Sequence, residues 1–565
     1  MKATNRSVMV IGLLLLSLTL FAGGSQEAPA SSKATSSVEV KKVPTGPVTL
    51  TVAVKEDLGV SDWETNGMTK YIEDALGVNL DFVTFPSKEI GTKLNLMAMD
   101  NAKGLPDILL HNAKDNEIDA WAKMGVIRPL TKYFQDEKLS GNIRDAWKKI
   151  GVDYRSQVTS PDGEIYTIPS FNQSYGNEMP MKIFVYKPFL DNLGLEVPTT
   201  TAELYEVLKH VVNDDPNGNG KKDEIGISGV SISTNYASAP SGWFVALMNS
   251  FVYAGGDQYL DVDANGKVSA AYTTEAWKNG LAYISKLFSE GLIQDTALTQ
   301  NLASFKAVMN SEDPAVFMFV WYTGNSMVDG SSPRKDEYVG VMPFKGPEGA
   351  QYITYRPSIA SSRMMISSNC EYPELAFQVG DLLSSELMSI TTRWGERGVE
   401  WDYISDMPNP QDYEGMYELA GFDKYIVVYD DTSFWSSGNA QNKAYRQQGP
   451  YVRQFAIANG QAKEKGGFTP AETMLAKYQY DLREGNYAPE DTIAKLVYNS
   501  EENEAISEIK ITLKTYVDEY TSMVLDGQLD LEKSWKGFQK EIKSIGLDDY
   551  LEITQQVYDR MYGSK

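Results

Sequence analysis

Between Asn213 and Gly226 the chain runs Asn-Asp-Asp-Pro-Asn-Gly-Asn-Gly-Lys-Lys-Asp-Glu-Ile-Gly, a dense series of hard oxygen donors at turn spacing. Asp215, Asn217 and Asn219 place side-chain oxygens on alternate residues, Gly218 and Gly220 permit positive φ, and Asp223 and Glu224 add two carboxylates. Calcium takes about six to eight such oxygens, so the run is a candidate calcium loop. Its spacing is not that of an EF-hand, because the twelfth position from Asp215 is Gly226 and the late acids come at the ninth and tenth. The same residue types also build solvated turns. Three acids and two asparagines converging on one turn favour the metal.

No other stretch carries comparable chemistry. The two histidines, His111 and His210, have no metal or triad partner at a recognisable spacing. His210 falls in a helical pattern and reads as solvated, whereas His111 follows a strand and is a candidate to line a cleft. Cys370 is the one cysteine, so no intramolecular disulfide forms. A glycosidase pair among the 76 acids is defined by separation in space and has no signature here. With 52 basic residues the net charge is −24, which repels phosphate backbones and disfavours nucleic acid as a partner.

The elements that must hold these groups begin after an address. Lys2 and Arg6 precede an apolar run, Val8 to Phe21, too short to span a bilayer comfortably and followed by small residues, as in a signal peptide. Cleavage is compatible with Ala22, Gly24 or Ala30; we take 1–24 as the leader and 25–47, rich in Ser, Ala, Lys and Pro, as a flexible tether. From Val48 the pattern is βαβαβ: a strand Val48–Val54, a helix Thr69–Leu76 stopped at Gly77, a strand Val78–Val83, a helix Ser87–Asp100 and a short apolar strand to Leu110. Further strands are expected at Gly163–Phe171, Lys182–Tyr186, Pro314–Tyr322, Tyr338–Met342 and Ser361–Ser367. Helices are expected at Glu117–Met124, Thr201–Val212 (capped by Thr200 with Glu203), Glu275–Glu290 and Glu374–Leu383, and over the long amphipathic segments Glu501–Leu525, Leu531–Ile545 and Asp548–Tyr562.

Several motifs recur here in a recognisable order: Gly104-Leu-Pro-Asp-Ile-Leu-Leu, Trp121 to Leu130, Gly163-Glu-Ile-Tyr-Thr-Ile-Pro, Tyr186-Lys-Pro-Phe-Leu-Asp-Asn-Leu-Gly-Leu-Glu-Val-Pro-Thr-Thr, the loop from Asp215, Arg393 to Trp401, and Ile545 to Ile553. That order resembles the carbohydrate-binding (family 1) extracellular solute-binding proteins of ABC importers, in particular the large alginate-binding-like, lipoprotein-like subgroup. The resemblance implies an α/β fold of the type II periplasmic-binding kind, two lobes on a hinge with a helical C-terminal extension. It assigns 48–175 with 323–387 to the first lobe and 176–322 with 388–565 to the second, with crossings near Pro169–Lys182, Val320–Gly324 and Ser385–Arg393. It implies a structural Ca2+ held by Asp215, Asn217, Asn219, Asp223 and Glu224 with the carbonyl of Lys221. It implies no enzyme activity, and as partners a carbohydrate, chiefly an oligosaccharide, and the permease subunits of an ABC transporter, with the protein itself a monomer. Relatives with a lipid anchor carry a cysteine at the cleavage point; none stands there here, which implies a soluble periplasmic or secreted form. Binding of a peptide or another polar solute uses the same hinge, and a secreted glycoside hydrolase is the rival of another class.

A sugar presents apolar C–H faces and a ring of hydroxyls, so its pocket needs aromatic platforms beside planar polar groups. The loop aromatics Trp63, Trp243, Trp321, Tyr322, Trp394 and Trp435 are candidates, Trp321 and Tyr322 foremost because they end a buried strand at an expected crossing. Asn112, Asn172 and Gln173 follow strands, where open α/β sheets bind ligands. Tyr355, Arg356 and Glu396 complete the set. Trp121 and Trp277, within helical patterns, are expected in the core.

Overall fold

Alternation in Val48-Thr-Leu-Thr-Val-Ala-Val produces β1 (Val48–Lys55), which pairs in parallel along its full length with β2 (Val78–Phe85). In the computed structural model the described residues are 46–233, 242–313, 315–329, 331–413, 425–429, 440–454, 456, 458, 460–463 and 470–563, and Pro47–Lys565 forms one unit. The leader and the tether up to residue 45 therefore lie outside the described residues, as does Trp435.

The remaining strands are β3 (Ile108–Leu110), β4 (Ile168–Asn172), β5 (Lys182–Tyr186), β6 (Ile225–Ile227), β7 (Leu260–Val262), β8 (Val268–Ala270), β9 (Val316–Trp321), β10 (Tyr338–Val341), β11 (Ser361–Ile366), β12 (Trp401–Tyr403), β13 (Ile426–Val428), β14 (Tyr451–Arg453) and β15 (Gln461–Lys463). A six-stranded sheet, in order β14-β4-β11-β3-β1-β2, is the centre of the first lobe; only β11 runs against the others. Period-two alternation divides it into two cores. Leu50, Val52, Val54, Ile108, Leu110 and Met364 face one cluster and Ala53, Leu109 and Met365 the other, so both faces are buried, as a sheet wound with helices requires.

A four-stranded sheet, β10-β5-β9-β6, is the centre of the second lobe, with β5 antiparallel to both neighbours. Every residue of Val316-Phe-Met-Phe-Val-Trp321 is buried. Smaller sheets β12-β13-β15 and β7-β8 were not expected from the sequence.

The helices that matter below are α1 (Gly67–Leu76), α2 (Ile90–Met99), α3 (Asp115–Lys123), α4 (Tyr175–Glu178), α5 (Thr201–Asn213), α6 (Glu275–Ser289), α7 (Pro373–Leu383), α8 (Glu386–Trp394), α9 (Pro470–Glu484), α10 (Ser500–Leu525), α11 (Leu531–Ile545) and α12 (Leu547–Tyr562). The cap expected at Thr200 is present: its hydroxyl accepts from Glu203 N–H at 3.1 Å while the Glu203 carboxylate accepts from Thr200 N–H at 3.2 Å. Helices α10 and α11 pack against α6, and α12 packs against α10 and β8, so the C-terminal extension belongs with the second sheet.

Sheet membership places the lobe boundaries differently from the assignment made on sequence. β10 pairs with β5, so 338–341 lies with the second lobe and the chain recrosses between Val341 and Ser361 rather than near 320–324. Helix α8 packs on α1 and α7, and β14 pairs with β4, so 386–394 and 451–453 lie with the first lobe. The chain next leaves for the second lobe after β14 and before α9, which packs on β10. The first crossing lies between β4 and β5.

Candidate functional site

Both sheets turn an open end toward the crossings. On the first lobe this is the C-terminal end of β3, β4 and β14, the position where α/β sheets hold ligands. Asn172 and Arg453 are register partners there, and Gln173 N–H donates to the Arg453 carbonyl at 2.9 Å. Arg453 is only 8% exposed, its guanidinium 5.4 Å from the Tyr451 ring, and burial holds its pKa below the ordinary value. Neither its Nε nor the buried Oδ1 of Asn172 has a hydrogen-bond partner among the described residues. Buried polar atoms of this kind cost free energy unless a partner reaches them, and a ligand hydroxyl is such a partner. Next to them Arg363 sets its guanidinium 5.8 Å from Tyr451 and donates from Nε to Ser170 Oγ at 2.9 Å.

The crossings form the floor. Tyr322, at the end of β9, donates its hydroxyl to Asn177 Oδ1 at 3.0 Å, and a Cβ on Gly176 would stand 2.7 Å from that hydroxyl, so glycine is what lets α4 approach. Lys182 opens β5 fully buried: its ammonium donates to the carbonyls of Met179 at 2.6 Å and Tyr322 at 3.1 Å and lies 4.8 Å from the Tyr322 ring. Burial pulls its pKa down to about 7. Ser358, on the second crossing, donates to the Asn172 carbonyl at 3.1 Å and to Glu178 Oε1 at 2.6 Å; burial raises the Glu178 pKa. Arg483 of α9 bonds the Tyr175 hydroxyl.

Of the candidates, Tyr322, Asn172 and Gln173 are thus brought together, with Tyr355 and Arg356 on the adjoining crossing; Asn112 is exposed at the end of β3. Trp243 and Trp321 are core. Trp243 is 1% exposed with its indole N–H on the Val230 carbonyl at 3.0 Å, and Trp321 is 3% exposed, 6.3 Å from Phe305. Trp63 packs with Phe82 and Tyr445 at 5.7 and 5.3 Å, and Trp394 joins Ile390 and Trp401 in the core of the small third sheet. Enclosed indoles of this kind offer no face to a solute. Glu396 is exposed beside that sheet. His111 is half-buried toward Gly91 and Trp121, with burial lowering its pKa, and His210 is exposed with Nδ1 2.6 Å from Asp214. Sequence reasoning missed Arg453, Lys182, Glu178 and Arg483, which have no local signature; two unusual charges inside strands, Lys182 and Arg453, were the available signal.

The loop after α5 is folded on itself. Asp215 accepts from the N–H groups of Asn219 and Gly220 at 3.1 and 2.9 Å, at a φ of 49°, and Gly218 and Gly220 take φ of 70° and 72°. The Asn219 amide nitrogen lies 3.2–3.3 Å from both oxygens of Asp223 and 3.2 Å from Asp313, a residue the sequence reading did not include. Both oxygens of Glu224, which is 8% exposed, lack any hydrogen-bond partner among the described residues. No group of three or more acidic, histidine or cysteine side chains is gathered for a metal among the described residues; amides interleave the acids. An uncompensated buried carboxylate is costly, and a cation supplies the missing counter-charge, so the donor set fits one.

The family model for bacterial extracellular solute-binding proteins matches residues 61–386. The fructooligosaccharide ABC transporter substrate-binding protein FusA of Streptococcus pneumoniae serotype 4 is 27% identical over 513 residues, 87% of each chain. Among solved structures, an HMO-binding, ABC-transporter-associated solute-binding protein from Bifidobacterium longum infantis superposes with a TM-score of 0.72 at 20% identity, over 92% of this chain and 100% of that one. An EF-hand mutant of S. pneumoniae FusA in complex with fructo-nystose superposes with a TM-score of 0.66 at 23% identity, again over 92% and 100%. These likenesses establish the two-lobe α/β fold.

Proposed function

The chain belongs to the bacterial extracellular solute-binding proteins, and from that premise we propose that it captures a neutral oligosaccharide between its lobes and hands it to an ABC permease. The carrying observation is the floor and wall where the lobes meet: Tyr322 from the second sheet, and the unpartnered Asn172 Oδ1 and Arg453 Nε from the first, converge on the crossings. An amide oxygen and a guanidinium recognise hydroxyls, and tyrosine rings accept the C–H faces of a sugar. The saccharides named for FusA and for the Bifidobacterium protein support the same ligand class. The chain is exported, its leader at 1–24, and it binds without turning its ligand over.

The loop is a calcium clip on the second lobe. Asp215, Asn217, Asn219, Asp223 and Glu224 and the Lys221 carbonyl would hold the ion, which supplies the charge that the Glu224 carboxylate lacks. The EF-hand named in FusA supports a cation in such a protein. Turning the Asn219 amide over exchanges its donor for an oxygen toward Asp223 and Asp313. The loop stands at the far end of α5, so it pins structure and takes no part in holding the solute.

A thermal-shift screen of mono- and oligosaccharides against ligand-free protein tests the proposal, since a ligand at about 100 times its Kd adds ~2.7 kcal/mol to stability. A sugar that raises the melting point and is recovered intact supports it. Recovery of a cleaved sugar, or stabilisation only by peptides, overturns it.

A further inference from the structure

Beside the second crossing, where the C-terminal helices come up against the loop before β7, lies a chamber of about 380 Å³ that shares only Tyr355 and Arg356 with the residues described above. Its size is near the lower end of the ~300–1,000 Å³ usual for small-molecule sites. Five separate parts of the chain wall it: the segment 253–261, the crossing at Tyr355–Pro357, the stretch 492–498, α10 through Lys510 and α12 through Tyr550.

Tyr550 is 1% exposed and lines the chamber, where burial drives its pKa far up. A phenol at the chamber wall offers a ligand both a ring and a hydroxyl for hydrogen bonding. Tyr355 adds a half-buried ring, held by a 2.7 Å hydrogen bond from the Tyr253 hydroxyl to its carbonyl. The charged groups are largely offset. Asp257 pairs with Lys510 at 2.8 Å and Lys495 pairs with Asp115 at 2.9 Å, while Asp261 has the acids Asp263 and Asp491 near it. Burial lifts Asp261 to about 6, so its carboxyl approaches a neutral donor under mildly acid conditions. With most of its ions paired and Asp261 shifted toward its neutral form, the chamber favours neither a strong anion nor a strong cation; phenols and planar polar groups around apolar rings suit an uncharged polyol with flat C–H faces.

Two contacts join its walls to the first lobe and to the floor. Lys495 reaches across to Asp115 at the start of α3, the helix that follows β3 on the first lobe, and Arg356 N–H donates to the Glu178 carbonyl of α4 at 2.7 Å. The chamber therefore adjoins both the first lobe and the floor that carries Tyr322. We propose that it is a terminal subsite for the last one or two rings of a neutral oligosaccharide whose other end lies against Asn172 and Tyr322. This rests on the carbohydrate reading and deepens it: the C-terminal helices lengthen the stretch of ligand that is recognised, so they set chain-length preference.

The test is calorimetric titration of full-length protein with ladders of inulin-type fructans, lacto-N-oligosaccharides and malto-oligosaccharides, from disaccharide to hexasaccharide. For the ladder that binds, wild-type Kd falls about tenfold once the chain is long enough to enter the chamber. Tyr550→Phe, which removes one hydroxyl and keeps the ring, loses about three- to tenfold on the long members and nothing on the disaccharide, the size of one hydrogen bond; Asp261→Asn, which keeps its acceptor for Val262 N–H, behaves alike. Tyr322→Ala weakens every length equally. If both chamber variants bind every length as the wild type does, the subsite is overturned while the carbohydrate reading stands. If no ladder binds the wild type, the carbohydrate reading falls and the subsite with it.

Discussion

The proposed calcium loop and the interlobe floor are built in opposite ways. The loop draws its polar groups from a single run, Asp215 to Glu224, with Asp313 a distant carboxylate beside it. The floor is assembled from the ends of β4, β9 and β14, from α4, and from both crossings; Arg483 meets Tyr175 across 308 residues of chain. A site made from one turn is specified by local spacing and backbone conformation. A site made from many segments is specified by sheet order, and no single segment bears its mark. The loop should therefore fail as a unit when its ion is removed, whereas the floor should fail residue by residue.

The largest expected effect belongs to Lys182, the charge buried in the floor. Its folded pKa of about 7 lies below the ordinary 10.5, so the unfolded chain holds a proton that the folded protein sheds between those values. Stability from this group rises as pH climbs through that window and is flat below it. At ~1.4 kcal/mol per unit the full rise is on the order of 5 kcal/mol. Denaturant unfolding at pH 7 and near pH 10 measures it, and Lys182→Met should remove the rise. An equal rise in the variant would assign it to other groups.

Next in size is the loop. Chelation of wild-type protein prepared with calcium at about 100 times its Kd should cost ~2.7 kcal/mol and lower the melting temperature by some degrees. Glu224→Gln and Asp223→Ala should start low and no longer respond to chelator, with sugar affinity unchanged. Chelation without effect on the wild type would leave the orphaned Glu224 carboxylate without a counter-ion and remove the contrast with the floor.

Smaller, and graded, are the losses expected in the floor. Tyr322→Ala removes the ring over the ammonium of Lys182 and the hydrogen bond to Asn177, and should weaken sugar binding by about tenfold, or ~1.4 kcal/mol. Asn172→Ala deletes one unpartnered acceptor and should cost a few-fold. Titration at constant calcium checks both. A total loss from either change would mean that the floor, like the loop, acts as a unit.

What was legible follows the same division. The strand β1, the capping box at Thr200 and the loop after α5 rest on contacts within a few residues, and each is where spacing puts it. The membership of β10 rests on pairing with β5, about which Tyr338-Val-Gly-Val contains no information. Trp243 looked like a loop aromatic because Ser, Pro and Gly precede it, yet Gly242–Met248 is a helix with every residue buried. Its neighbours on the helix are as apolar as it is, and that run, rather than the small residues before it, was the informative part. Trp394 ends α8 for the same reason, turned into a core formed with a strand far along the chain.

The smallest effect expected is at Asp119, where the lobes touch outside the floor. Its carboxylate on α3 accepts from the N–H of Ser500 at 2.8 Å and from the Ser500 hydroxyl, at the first turn of α10, and it faces Lys123 at 3.1 Å. Burial opposes ionisation there, but the hydrogen bonds from Ser500 and Lys123 prevail and hold the pKa below the usual carboxylate value. The stability this group contributes is therefore present above pH ~4 and fades as pH falls through the lower folded value. Helix α10 keeps its own cap, since Asn499 and Glu502 close a capping box there, so removing Asp119 leaves the helix start satisfied. Asp119→Ala should then cost only about 1 kcal/mol near neutrality. That loss should shrink progressively as pH falls below ~4, which equilibrium unfolding of variant and wild type at neutral and acid pH would show. The contact would belong with the loop, as a cooperative clip, if the loss instead equalled that of chelation.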